Sequence, residues 1–130
     1  MVQEFWAFEN ILFSSVAALK VWQQAWAHPE FVRGWLLEFE SHTVGYVVLT
    51  FGFSLEYGGL DAYIDELFVK PDFRGRGFAS RALEFLDSEC RKLNVQALHL
   101  EVDADNLTAK SMYAKTGFES TRRELLNKTL

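Results

Sequence analysis

The residues best suited to chemistry lie in one run, residues 63–80, which reads YIDELFVKPDFRGRGFAS. Apolar residues followed by a proline predict the end of a strand, and the glycines after it predict a tight loop leading into a helix. A helix N-terminus presents N–H groups without intrahelical partners and a partial positive charge, and glycine lets the backbone approach a ligand closely. Basic side chains strengthen the positive field: Lys70, Arg74, Arg76 and Arg81. The segment therefore predicts an anion site suited to a phosphate.

Two common phosphate-binding loops do not fit this segment. The P-loop pattern G-x-x-x-x-G-K-[ST] is absent from the sequence. A dinucleotide fingerprint needs G-x-G-x-x-G, whereas Gly75-Arg76-Gly77 is followed by Phe78-Ala79-Ser80. Neither nucleotide-binding fold is supported.

The sequence before the loop predicts the elements that hold it. Apolar residues at helical spacing predict a first helix that begins at Ser14 or Ser15 as N-cap and stops at His28, with room for a short helix over residues 3–8. Alternation over residues 35–40 and a stretch rich in Val, Tyr and Phe over residues 44–53 then predict a β-hairpin. A third strand is expected over residues 62–69, between Gly58-Gly59 and Lys70-Pro71.

The clearest helix of the sequence follows the loop. Apolar residues step by three and four along one face: Ala79, Ala82, Leu86, Cys90 and Leu93. Residues 97–102 alternate and predict a strand, and a strand–helix–strand crossover implies parallel pairing.

A last helix is expected near the end of the sequence. Asp105 or Asn106 would cap it, Gly117 would end it, and a final strand would follow over residues 118–126. The order of elements predicts a mixed α/β or α+β fold in a single domain over residues 1–130.

Composition and charge narrow the function classes. With 49% apolar and 24% charged residues, the chain can bury a core, and a disordered protein is excluded. The net charge of −5 has the wrong sign for binding a nucleic-acid backbone. No stretch reaches the ~18 apolar residues of a membrane span, so we expect a cytoplasmic protein with no membrane contact. One cysteine, Cys90, and three scattered histidines predict neither disulfide nor metal site.

The two halves of the sequence differ in charge. Residues 1–66 hold nine carboxylates and two basic side chains, whereas residues 67–130 hold eleven basic and nine acidic ones. This asymmetry favours a cationic ligand beside the first half and an anionic ligand beside the second. Ordinary solvated charge is the alternative.

The loop resembles the R-x-x-G-x-G/A motif of the GNAT superfamily of N-acetyltransferases through Arg74, Gly77 and Ala79. The strand before it ends in Val-Lys-Pro, as Val-x-Pro does in that family. A later pattern, N-x-x-A-x-x-x-Y-x-x-x-G-F, is matched by Asn106, Ala109, Tyr113, Gly117 and Phe118. The resemblance covers roughly residues 14–126 and implies a mixed, centrally splayed β-sheet flanked by helices. The family usually opens with a strand before the first helix; this sequence departs from that pattern, so we expect that the strand is lost or that the chain starts late.

The resemblance implies acetyl-CoA as co-substrate. In the family the pantetheine arm lies in the gap between two splayed strands, which assigns the main chain of Leu67, Phe68 and Val69 to that arm. The pyrophosphate would be bound by backbone N–H groups of the loop, namely those of Arg74, Gly75, Arg76, Gly77, Phe78, Ala79 and Ser80. Asn106 would lie near the cofactor.

Acetyl transfer to an amine moves two protons. The amine, with a pKa near ~10, must lose one, and the departing thiolate, near ~8.5, must gain one. Tyr113 stands where the family often has its general acid. We expect Glu66 as the base or amine anchor, acting directly or through water, and Asp65 and Tyr57 as acceptor-binding residues. Because side chains alternate along a strand, only one carboxylate should face the site unless a bulge intervenes.

Residues 63–69 also resemble the spermidine/spermine acetyltransferase branch, which with the acidic first half favours a small cationic amine or a peptide as acceptor. A non-catalytic acyl-CoA-binding or sensing module is the alternative function. Without a first strand, residues 35–40 would form a sheet edge, so we expect a homodimer through that edge or through the tryptophan-rich first helix.

Overall fold

The computed structural model describes residues 2–4 and 16–130. Within them the strands are β1 (Val2–Glu4), β2 (Val32–Phe39), β3 (His42–Ser54), β4 (Gly59–Val69) and β5 (Ala97–Leu100). The helices are α1 (Val16–Trp26), α2 (Phe78–Lys92) and α3 (Leu107–Lys115), and a 3-10 turn, Pro71–Phe73, lies between β4 and α2. No helix in this described part is long and apolar enough to cross a membrane.

The strands form one sheet in chain order. Neighbours are antiparallel from β1 to β4, while β4 and β5 are parallel, with α2 as the crossover between them. The predicted hairpin is confirmed as β2 and β3. Its turn residues Glu40 and Ser41 have φ of 48° and 65°, and two successive positive values are typical of a type I′ turn.

Helix α2 covers one face of the sheet with the apolar stripe that the sequence predicted. Its Ala82, Leu86 and Cys90 are buried in one cluster with side chains of β2, β3 and β4. Leu67 and Val69 also pack against this cluster, so Phe68, which lies between them, points to the other face of the sheet. We call the face opposite α2 the distal face; it carries Tyr46, Tyr63, Glu66 and Phe68.

Strands β4 and β5 separate partway along their length. Their pairing runs from Asp61↔Ala97 to Ile64↔Leu100, where β5 ends, while β4 continues to Val69. In the described part of the chain, no further strand pairs with β4 on this side. Residues 65–69 therefore have a strand beside them only on the β3 side, as a splayed sheet requires.

A β-bulge lies in β4 where the strands separate. Val48 pairs with Glu66 and Leu49 pairs with Ile64, so Asp65 is an extra residue without a counterpart. A bulge interrupts the alternation of side chains. Ile64 and Leu67 both face the core, and the two carboxylates between them are both exposed.

The predicted absence of a first strand is wrong. Strand β1 precedes α1 and pairs with residues 35–37 of β2. Three residues, one of them charged, are too few to show strand periodicity, so the sequence does not distinguish this strand from a helix. The short helix predicted over residues 3–8 is wrong at residues 3 and 4; its remainder and the N-cap candidates Ser14 and Ser15 lie outside the described residues. Because β1 pairs with residues 35–37, that part of β2 is not the exposed sheet edge on which the dimer prediction was based.

The predicted final strand over residues 118–126 is also wrong. Gly117 ends α3 with a φ of 98°, and residues 118–130 then form neither strand nor helix. The Arg123 guanidinium pairs instead with the Glu56 carboxylate at 2.6 Å. Alternating residues become a strand only where a neighbour pairs with them, and β5 extends for only four residues.

Candidate active site

The loop between β4 and α2 presents a row of free main-chain donors. Gly75 and Gly77 have φ of 74° and 84°, in the left-handed region that favours glycine, and a Cβ added at either would meet no atom within 4 Å. Among the described residues, no backbone acceptor receives the N–H groups of residues 75–80. The next N–H, that of Arg81, donates to the Gly77 carbonyl at 3.1 Å. The loop therefore leaves its N–H groups available to an anion.

The side chain of Arg76 is fixed beside this row. Its guanidinium lies over the rings of Phe39, Phe73 and Phe78, at 5.3, 5.5 and 5.7 Å from their centroids. Phe78 also contacts Phe39 edge-on at 5.2 Å. Cation–π contacts of this kind contribute about 0.5–1 kcal/mol each at exposed sites. They hold a positive charge near the start of α2 without neutralising it.

Arg74 reaches toward the distal face instead. Its Nε donates to the Val69 carbonyl at 2.8 Å, and its guanidinium lies over the Phe68 ring at 5.6 Å. The prediction that its main-chain N–H is free for the pyrophosphate is wrong, because that N–H donates to the Pro71 carbonyl at 3.3 Å at the end of the 3-10 turn. Arg74 instead braces the end of β4 with its side chain.

The predicted pantetheine segment, residues 67–69, forms the last part of β4, beyond its separation from β5. It lies very close to β3, because a Cβ added at Gly45 would be only 2.1 Å from the Phe68 carbonyl oxygen. The Lys70 N–H continues this contact by donating to the Val44 carbonyl at 2.7 Å. The segment is therefore held firmly on its β3 side.

The bulge exposes both predicted carboxylates, and one of them has a specific partner. The Tyr46 hydroxyl donates to Glu66 Oε2 at 2.6 Å. Burial, and then this hydrogen bond, raise the pKa of Tyr46 well above its usual range. Asp65 is exposed as the extra residue of the bulge.

Tyr113, the predicted acid, is half-buried on α3. Its ring contacts Phe118 at 5.8 Å and packs against the core cluster. Burial raises the pKa of Tyr113 above its usual 10.0, so the phenol is protonated at neutral pH. No described residue is hydrogen-bonded to its hydroxyl, which leaves the hydroxyl available as a donor. Of the two predicted caps of α3, Asp105 and Asn106, the structure has Asn106, whose Oδ1 accepts from the Ala109 N–H at 3.1 Å.

Tyr57 lies apart from the carboxylates of the bulge. It is exposed in the turn before β4, and its ring contacts His99 at 5.0 Å. His99 pairs in register with Tyr63, not with Glu66, and its Nε2 is 3.2 Å from Asp61 Oδ2. The structure therefore places Tyr57 beside His99 of β5.

Cys90 is confirmed as a buried residue of the apolar stripe, and burial raises the pKa of its thiol to about 11. Within the described ranges, no group of three or more side chains could hold a metal ion.

The acetyltransferase (GNAT) family matches residues 1–118 of the chain. The chain belongs to this family. Over 66 residues it is 36% identical to the uncharacterized N-acetyltransferase YycN of Bacillus subtilis, a match that covers 51% of this chain and 42% of YycN. It spans 39–54% of the length of the three curated relatives that it matches.

Solved structures share the GNAT fold with this chain. An integron cassette protein from the mobile metagenome of Cole Harbour Salt Marsh is 38% identical, with a TM-score of 0.77, over 88% of this chain and 70% of that one. AAC(6′)-Iy in complex with a bisubstrate analogue, CoA-S-monomethyl-acetylneamine, has a TM-score of 0.76 at 13% identity, over 100% of this chain and 97% of that one. At 13% identity the likeness shows the fold alone.

Two residues of this GNAT site were missed by sequence reasoning. Gly45 lies against the end of β4, and Tyr46 binds Glu66. The signal for both is the register between β3 and β4, which places residues about twenty positions apart side by side and is not visible in the sequence of either strand.

Proposed function

We propose that the protein is an N-acetyltransferase that transfers the acetyl group of acetyl-CoA to a primary amine. The observation that carries the proposal is the row of free N–H groups at residues 75–80, which follows β4 directly beyond its separation from β5. The free N–H groups suit the diphosphate of a ligand such as acetyl-CoA, and the gap between β4 and β5 suits its extended arm.

The residues of the loop fit this ligand. The N–H groups of residues 75–80 would bind the pyrophosphate, and Arg76 would add positive charge near them. The main chain of residues 67–69 would bind the pantetheine arm on the side where β4 has no neighbouring strand. Asn106 would lie near the cofactor with its side chain engaged in capping α3. Bound acetyl-CoA supplies a thioester carbonyl that an amine can attack.

The chemistry needs one base and one acid. Glu66, directly or through water, accepts the proton that the amine loses as its nitrogen bonds to the carbonyl carbon, with Asp65 as the alternative base. Tyr113 donates a proton to the sulfur as the carbon–sulfur bond breaks. Its burial favours the protonated phenol, the state that an acid requires. The products are an acetamide and free coenzyme A, formed by direct attack in a ternary complex.

The acceptor that we propose is a small cationic amine or a peptide with such an amine. Both carboxylates of the bulge are exposed, so a positively charged acceptor would be attracted to them. The exposed ring of Tyr57 would contact the part of the acceptor farther from the reacting nitrogen. The homodimer and the cytoplasmic location stay predictions.

A two-step experiment tests this function. Acetyl-CoA should raise the melting temperature of the chain where NAD and ATP do not, because a ligand that binds only the folded state stabilises it. Release of free thiol on adding a panel of primary amines should then follow. Absence of stabilisation would refute the loop assignment. Stabilisation without thiol release from any amine would favour the non-catalytic acyl-CoA-binding module.

A further inference from the structure

We propose that Tyr46 is a positioning residue for Glu66: it binds one carboxylate oxygen and directs the other toward the acceptor amine. This inference rests on the proposed function, in which Glu66 receives the proton of the amine. Tyr46 lies in β3, twenty residues from Glu66 in the sequence.

The register of the sheet brings the two side chains together. Tyr46 pairs with Phe68, and Val48 pairs with Glu66, so Tyr46 and Glu66 are diagonal neighbours on the distal face. Diagonal neighbours across an antiparallel pair are within reach of an aromatic side chain. The bulge at Asp65 is necessary for this, because unbroken alternation from Ile64 would turn Glu66 toward the core.

The hydrogen bond itself has the geometry of a strong one. The Tyr46 hydroxyl donates to Glu66 Oε2 at 2.6 Å, within the 2.5–2.7 Å range of O–H···O⁻ bonds to an ionised acceptor. No described residue binds Oε1 of the same carboxylate. One oxygen is therefore fixed, and the other is available to a proton donor from the substrate.

Tyr46 is itself held in place. The Tyr46 ring contacts the Phe68 ring at 5.6 Å between centroids. The Arg74 guanidinium lies over the same Phe68 ring, 5.6 Å from its centroid. Arg74 is anchored in turn on the Val69 carbonyl. The phenol is thus supported by the same segment that leads into the anion loop, which suits a side chain that must hold a carboxylate at one angle.

A double-mutant cycle tests the role. Tyr46→Phe should lower kcat/KM for the amine about tenfold or more, since a hydrogen bond to a charged group is lost, and should leave the affinity for acetyl-CoA unchanged. In a Glu66→Gln background the same change should alter kcat/KM less than twofold, because the partner that Tyr46 positions is already absent.

Tyr63→Phe is the matched control. Tyr63 also lies on the distal face, is 42% exposed, and has its ring against His99 at 4.7 Å. Losing its hydroxyl should leave kcat/KM within twofold of the wild-type value, and thermal melts should show all variants folded.

The possible outcomes separate the two proposals. An active wild-type enzyme in which Tyr46→Phe behaves like Tyr63→Phe, or in which the effects of Tyr46→Phe and Glu66→Gln multiply, would overturn the positioning role alone. A wild-type chain that releases no thiol with any amine would overturn the proposed function and this inference together.

Discussion

Replacing Gly45 by alanine is expected to disturb the end of β4 and, with it, acetyl-CoA binding. The new Cβ would lie 2.1 Å from the Phe68 carbonyl oxygen, whereas real Cβ atoms stay beyond 3.0 Å from such neighbours. The clashing atom belongs to the backbone, so no side-chain rotation relieves the contact. Strands β3 and β4 must separate by about 1 Å at this point, where Gly45 pairs with Val69.

The cost follows from the contacts that such a shift disrupts. Overpacking a well-packed site costs about 1–3 kcal/mol, and a lost main-chain hydrogen bond about 1 kcal/mol. Alanine recovers about 0.4–1 kcal/mol by restricting the unfolded chain. The free energy of unfolding should therefore fall by about 1–3 kcal/mol. Each kcal/mol lost should lower the melting temperature by roughly 4 °C. Urea unfolding and acetyl-CoA titration would measure the two effects.

Gly52→Ala is the control for this prediction. It makes the same change in the same strand, but the nearest atom to the new Cβ is a side-chain oxygen, Asp61 Oδ1, at 2.9 Å. A side chain can shift at lower cost than a backbone carbonyl, even though Asp61 is buried and paired with His99. We therefore expect a smaller loss than for Gly45→Ala, and unchanged acetyl-CoA affinity. Equal stability of wild type and Gly45→Ala, or equal losses in the two variants, would refute the close-approach argument.

Three further predictions concern the loop, the acid and the thiol. Gly77→Glu should abolish stabilisation by acetyl-CoA in a folded chain, because it places a carboxylate at a φ of 84° beside the anion site; retained stabilisation would contradict the loop assignment. Tyr113→Phe should lower turnover about a hundredfold with little change in acetyl-CoA affinity. Because burial raises the pKa of Tyr113, turnover should fall through phenol ionisation at a higher pH than an ordinary tyrosine would give. Unchanged turnover would remove Tyr113 from the acid role. Cys90, whose pKa burial raises to about 11, should not react with a disulfide reagent at pH 8 until the chain unfolds; rapid reaction of the folded chain would show that it is accessible.

The predictable elements were those whose signal is local. The apolar stripe of α2, a cap at Asp105 or Asn106 and the alternation of β2 can each be read from neighbouring residues. The structure confirms the stripe and the alternation and has Asn106 as the cap. Strand β1 could not be predicted, because three residues show no periodicity. The strand expected over residues 118–126 is wrong, because alternation does not show whether a neighbouring strand is there to pair with.

In the candidate site, too, local features could be predicted from the sequence and features that depend on strand register could not. The motif around Gly77 located the main-chain donors, since a loop of glycines before a helix is a local feature. The sequence does not predict whether a bulge is present at Asp65, because the bulge depends on the register between β3 and β4. For the same reason the contact between Tyr46 and Glu66 was beyond reach of the sequence.

Residues 65–69 combine two requirements that oppose each other. To leave main-chain groups open on one side, β4 must separate from β5, yet a strand with one neighbour is prone to fraying. The structure offsets that loss on the β3 side and at the end of the segment. Gly45 permits very close approach, the Lys70 N–H binds the Val44 carbonyl at 2.7 Å, and Arg74 Nε binds the Val69 carbonyl at 2.8 Å. A segment fixed in this way can accept an extended ligand as its second neighbour without first having to be ordered, which lowers the entropic cost of binding.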